Sequence, residues 1–139
     1  MTFKPGSEDA THYDIKSWLE WVVPGIEVLH VPNSFFAGKG DPNDVDAQGK
    51  PKRTVEKRHV ARLKALGMRP GALDLLCMVP GKPPVFWIEV KVGKRGLDPD
   101  QVEFGRRLDR LGIPWALCRS IDDAAKFLDT IDVRTRIAA

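Results

Sequence analysis

Three charged residues lie within short apolar segments, where an isolated charge is costly. Asp74 interrupts the apolar segment from Ala72 to Cys77, and Glu89 and Lys91 lie two positions apart in the segment from Val85 to Val92. If the second segment is a strand, Glu89 and Lys91 project from one face about 6.8 Å apart. Paired carboxylates offer the hard oxygen ligands that suit Mg²⁺ or Mn²⁺, and a neighbouring lysine adds a positive point charge. Together these residue types indicate metal-dependent hydrolysis of a phosphodiester.

A structural ion pair at a sheet edge is the alternative explanation of the same charges. The tripeptide Glu89-Val90-Lys91 carries little information alone, because Glu-x-Lys occurs often by chance. The acid in the preceding segment, with aliphatic residues on both sides of each charge, is what favours a catalytic site.

Basic residues are concentrated in one part of the chain. The net charge is only +3, but residues 50–69 contain eight basic residues against Glu56 alone, a local balance of +7. Such a stripe suits a polyanion such as DNA or RNA, whereas a solvated helix face usually mixes both signs. The residues expected to bind nucleic acid are Lys50, Lys52, Arg53, Lys57, Arg58, Arg62, Lys64, Lys94 and Arg95.

Hydrophobic periodicity and turn residues predict the elements that must position these side chains. Helices are expected at about 7–23, 55–66, 98–111 and 120–131, and strands at about 26–31, 73–79, 85–92 and 115–119. We therefore expect a single α/β domain, 1–139, with a central mixed β-sheet flanked by helices. A flexible basic loop is expected at about 34–53 and a frayed tail at about 132–139. The four tryptophans lie in predicted helices and strands and are expected in the core.

These residues resemble the PD-(D/E)XK nuclease superfamily and, more narrowly, its VRR-NUC branch. The similarity is carried by Gly71-Ala72-Leu73-Asp74, by Glu89-Val90-Lys91 and by Gln101 in the next predicted helix. It extends over most of the chain, from His30-Val31-Pro32-Asn33 to Ser120-Ile121-Asp122-Asp123. Two residues depart from the pattern: Leu73 stands where the superfamily has proline, and His12 stands where related sequences often have glutamine.

The resemblance implies a restriction-endonuclease-like PD-(D/E)XK core and a role for each matching residue. Asp74, Glu89 and the backbone carbonyl of Val90 would bind Mg²⁺ or Mn²⁺, Lys91 would be the catalytic lysine, and Gln101 would lie beside the site. The family also has a glutamate in its first helix. Glu8 matches it by its spacing to Trp18-Leu19, and Glu20 is the alternative.

From the residues and the resemblance together, we expect a divalent-metal-dependent DNA endonuclease. Stand-alone VRR-NUC proteins resemble junction-resolving enzymes associated with phages, which implies branched DNA as substrate. Symmetric cutting of a junction needs two sites, so a homodimer is expected. The alternatives are a non-catalytic nucleic-acid-binding module with the same fold and a restriction-type endonuclease. The retained acids and lysine argue against the first, and the limited room for a sequence-reading domain argues against the second.

Other features of the sequence exclude further classes. It contains neither H-E-x-x-H nor a phosphate-binding glycine loop, so a metalloprotease or a nucleotide cofactor is not expected. Apolar runs such as Val85 to Ile88 are too short to span a bilayer, and we expect a cytoplasmic protein without a membrane partner. Cys77 and Cys118 are expected to be buried hydrophobic residues. His30 and His59 are expected to be polar packing residues and not metal ligands.

Overall fold

The computed structural model describes residues 2–32, 47–49 and 53–137. Over residues 53–57 it describes the backbone only. Most of the expected flexible loop at about 34–53, including Lys50 and Lys52, therefore lies outside the described residues. The described elements are α1 (Glu8–Val22), β1 (Glu27–His30), α2 (Arg53–Ala65), β2 (Leu75–Met78), β3 (Val85–Val90), α3 (Pro99–Arg110), β4 (Trp115–Cys118) and α4 (Ile121–Thr130). Their order is the one predicted from the sequence.

Local capping signals explain where the helices begin. The Ser7 hydroxyl accepts a hydrogen bond from the Ala10 N–H at the start of α1, and the Ser120 hydroxyl accepts one from the Asp123 N–H at the start of α4. Proline at the first position of α3 suits a helix start, because its fixed φ is helical and its missing N–H would have no partner there.

The four strands form one mixed sheet in the order β1-β2-β3-β4. β1 pairs with β2 and β2 with β3 in antiparallel directions, while β3 and β4 are parallel and are connected through α3. The expected single α/β domain with a central mixed sheet is thus confirmed.

Side chains alternate along β3 and divide the two faces of the sheet. Phe86, Ile88 and Val90 are fully buried in a core that also includes residues of α1 and α4. On the opposite face Trp87 contacts Phe104 of α3, with ring centroids 5.1 Å apart. Since Glu89 follows Trp87 by two residues, it lies on the α3 face, just inside the end of a central strand.

Three expectations about individual residues can be compared with this fold. Cys77 and Cys118 are both buried, as predicted. Trp21 is 60% exposed, so its expected place in the core is wrong; it lies on the outer side of α1, away from buried Leu19 and Val22.

The expected frayed tail packs against the domain over its described part. Val133 is buried in the core, and the Arg136 N–H donates to the Val22 carbonyl at 2.7 Å. Residues 132–136 are therefore held against α1. Among the described residues, no helix is long and apolar enough to cross a membrane.

Candidate active site

Asp74 and Glu89 are locked together by reciprocal hydrogen bonds between neighbouring strands. The Asp74 N–H donates to Glu89 Oε2, and the Val90 N–H donates to Asp74 Oδ2, both at 2.9 Å. Asp74 directly precedes β2 and Glu89 is the penultimate residue of β3, so the antiparallel register places the two acids opposite each other. Each carboxylate is thereby oriented by a backbone amide. The Val90 side chain lies in the core.

Gln101 holds the other oxygen of Glu89 from the first turn of α3. Its Nε2 donates to Glu89 Oε1 at 2.7 Å, and its Oε1 accepts from the Asp98 N–H at 2.9 Å. The side chain is therefore fixed at both ends, and Gln101 is only 7% exposed. The Gln101 side chain thus both caps the start of α3 and sets the orientation of Glu89.

Gly71 allows α3 to approach the segment that carries Asp74. Its φ is +78°, and a Cβ built there would lie 2.3 Å from the backbone C and O of Asp100. A side chain would therefore collide with the first turn of α3. Glycine is needed at this position both for its conformation and for the close approach.

Lys91 is a buried lysine directly after β3. It is 3% exposed, and its Nζ lies 3.6 Å from Glu89 Oε1. Because β3 has a neighbour on each side, the explanation of these two charged residue types as a sheet-edge pair does not apply.

Burial changes the protonation of Glu89. Burial, together with the nearby Asp74 carboxylate, raises its pKa from 4.5 to about 8, and the Lys91 ammonium opposes both effects. A carboxyl in this state keeps its proton at neutral pH until a cation replaces it.

The first turn of α1 brings a third carboxylate to the pair. Oxygen atoms of Glu8, Asp74 and Glu89 all lie within 4.8 Å of one another. An all-oxygen donor set is what Mg²⁺ or Mn²⁺ prefers, so these three residues fit a hard divalent cation. Glu8 also accepts a hydrogen bond from Arg95 at 3.1 Å. Glu20, the alternative acid, is exposed three turns further along α1, where it pairs with Lys16.

Two histidines also lie at this site: His12, which departs from the VRR-NUC pattern, and His30, which was expected to be a packing residue. His12 follows Glu8 by one helical turn, and His30 ends β1; their ring centroids are 4.6 Å apart. Nitrogen atoms of both rings and an oxygen of Asp74 lie within 4.8 Å of one another. The i, i+4 spacing of Glu8 and His12 was a signal for His12. No residue near His30 in the sequence indicates a place in the site. It was expected to be a packing residue, and the structure places it in the lining of the cleft.

These side chains line a single cleft of about 380 Å³, together with Asp9. Burial lowers the pKa of His12 there, and the Asp74 carboxylate opposes that change. Of the expected nucleic-acid contacts within the described residues, Arg95 is the one that lines the cleft. Lys94 is exposed in the same turn, and Arg58, Arg62 and Lys64 are exposed along α2. The side chains of Arg53 and Lys57 lie outside the described residues.

Comparison with solved structures identifies a protein of the same fold, named VRR_NUC domain protein. The two chains are 17% identical, the match covers 95% of this chain and 93% of that one, and the TM-score is 0.55. At this identity the likeness shows the fold alone. No family model matches the sequence, and no curated protein matches it.

Proposed function

We propose that the protein is a divalent-metal-dependent DNA endonuclease of the VRR-NUC branch of the PD-(D/E)XK superfamily. The observation that carries the proposal is the convergence of Glu8, Asp74 and Glu89 beside the buried ammonium of Lys91. Surface acids are common without a function. Here, however, a buried carboxylate is oriented by a backbone amide and by Gln101, and a buried lysine accompanies it. The fold shared with a VRR_NUC domain protein also supports a nuclease function.

In this proposal Glu8, Asp74, Glu89 and the Val90 carbonyl hold one Mg²⁺ or Mn²⁺ ion. A bound cation would neutralise charge on the phosphodiester and lower the pKa of water beside it. Lys91 projects into the same cleft and can hold a phosphate oxygen or orient the attacking water through its ammonium. Gln101 acts as a positioning residue, because it contacts Glu89 and keeps that carboxylate in one orientation.

The DNA itself would be bound by exposed cations in the turn after Lys91 and along α2. Lys94 and Arg95 lie in the turn after Lys91, and Arg95 already lines the cleft. The basic face of α2, with Arg58 and Arg62 exposed, would add contacts to phosphates further along the duplex.

We also propose that the substrate is branched DNA and that the protein acts as a homodimer. The site is one cleft per chain, and paired cuts across a junction need two such clefts related by a twofold axis. Light scattering that gives the mass of two 15.5 kDa chains, with paired cuts on a four-way junction, is the expected result. A monomer that makes the same paired cuts would contradict the dimer.

Cleavage assays on linear, flap and four-way-junction DNA, with Mg²⁺, Mn²⁺ or EDTA, test the proposal. Asp74→Asn, Glu89→Gln and Lys91→Met should each lower the cleavage rate by about 100-fold or more while DNA binding persists. Glu8→Gln should lower it too. Glu20→Gln is the matched control, since it removes the same charge from the same helix outside the cleft, and it should cleave as wild type does.

The outcomes of this assay separate the competing functions. Wild-type protein that binds DNA but cuts none of the three substrates with either metal would establish the non-catalytic binding module. Cleavage confined to one short sequence of linear duplex would establish a restriction-type enzyme. Equal loss in Glu8→Gln and Glu20→Gln would refute the assignment of the first-helix acid.

A further inference from the structure

The cleft contains a second donor set that differs in chemistry from the three carboxylates. It consists of His12 from α1, His30 from the end of β1 and Asp74 before β2, with their ligand atoms within 4.8 Å of one another. Asp74 belongs to both sets. The hydrogen bond from the Val31 N–H to the Asp74 carbonyl, 2.8 Å long, fixes the residue after His30 to Asp74 itself.

We propose that His12, His30 and Asp74 form a distinct site for a borderline divalent transition-metal ion, of which Zn²⁺ and Co²⁺ are examples. Two imidazoles and one carboxylate bind such ions well, whereas Mg²⁺ prefers oxygen ligands and rarely takes imidazole. The site extends the proposed nuclease centre and shares Asp74 with it. Metal binding by the histidines can nevertheless be measured without any cleavage assay.

The two rings pack edge to face, and the spacing of their ligand atoms in the open cleft also suits shared ligation of one ion. The ring planes are nearly perpendicular, at 84°, with centroids 4.6 Å apart, and both side chains line the open cleft. Zinc bonds to nitrogen are about 2.0–2.1 Å long, so two ligand atoms of one ion lie within about 4.2 Å of each other. A separation of at most 4.8 Å therefore needs only a small side-chain movement to close on an ion.

The chain offers an internal control for this site. It has three histidines, and the third, His59, is exposed on α2 and does not line the cleft. Any weak binding of metal to a surface imidazole should therefore affect His59 as much as the other two. Selective binding at His12 and His30 is what a built site predicts.

The test is a titration of the wild-type protein with Zn²⁺, after transition metals have been removed and with Mg²⁺ present in excess. The titration is monitored by NMR of the histidine side-chain nitrogens and by calorimetry. The ring signals of His12 and His30 should shift together at one equivalent of Zn²⁺, while those of His59 stay unchanged. His12→Gln and His30→Gln should each weaken Zn²⁺ binding by at least about tenfold. His59→Gln should bind Zn²⁺ as tightly as wild type.

Two results would overturn the inference: simultaneous shifts of all three histidines, or wild-type Zn²⁺ affinity in both cleft variants. The NMR measurement uses the wild-type chain, so a variant that fails to fold leaves the test intact. If Zn²⁺ binds through the histidines but no DNA is cut with any metal, the nuclease proposal fails and this site stands. If DNA is cut and the histidine signals do not shift with Zn²⁺, the nuclease proposal stands and the histidine site fails.

Discussion

The raised pKa of Glu89 predicts that the metal-free protein loses stability as the pH rises. Burial and the Asp74 carboxylate raise this pKa from 4.5 to about 8, so between these values the folded chain keeps a proton that the unfolded chain has released. Stability falls with pH wherever the folded state binds more protons. Each pH unit costs about 1.4 kcal/mol, so the contribution lost between pH 4.5 and pH 8 amounts to roughly 5 kcal/mol.

Glu89→Gln isolates this contribution from those of the other titrating groups. A glutamine has nearly the same shape as the protonated acid and carries no charge at any pH. Urea denaturation in EDTA at several values between about pH 5.5 and 7.5 gives the free energy of unfolding of both proteins. The wild-type value should fall relative to that of Glu89→Gln by about 1.4 kcal/mol per pH unit.

The same proton competes with a bound cation, because a carboxyl must be ionised to serve as a ligand. The apparent affinity of the wild-type protein for Mn²⁺ should therefore rise by up to about tenfold per pH unit and level off near pH 8. A free-energy difference from Glu89→Gln that stays constant with pH would refute the assigned protonation state. It would mean that Glu89 is already ionised in the metal-free fold.

Two further predictions concern the approach of α3 and the basic face of α2. Gly71→Ala should lower the free energy of unfolding by about 2–5 kcal/mol in thermal or urea denaturation, because it combines left-handed strain with a clash at the start of α3. Gly112→Ala, at φ +69° and with no described atom within 4 Å, should show the strain alone, and equal losses would argue against the clash. Joint replacement of Arg58 and Arg62 by alanine should flatten the log–log salt dependence of DNA binding by up to about two units in fluorescence anisotropy. Replacing exposed Lys126 on α4 is the control, and an unchanged slope in the double variant would mean that α2 does not contact phosphates.

Local signals in the sequence were sufficient for the elements and for part of the site. Ser7 and Ser120 begin helices because each hydroxyl accepts a hydrogen bond from the backbone N–H three residues on, which depends on neighbouring residues alone. Alternation along β3 placed Glu89 and Lys91 on one face for the same reason. Asp74 could be singled out because a charge in an apolar segment is costly without a partner. The resemblance to VRR-NUC proteins added Gln101 and Glu8.

The tertiary structure decided how these residues meet. Nothing local to His30 predicts that it faces His12, because that contact depends on β1 pairing at the edge of the sheet and on where α1 crosses it. The ion pair of Glu8 with Arg95 likewise joins residues far apart in the chain. The protonation of Glu89 follows from burial on the α3 face beside Asp74, and burial is a property of the packed domain. Spacing along a chain determines which residues share a face of one element, whereas distances between elements are set by how their apolar faces pack.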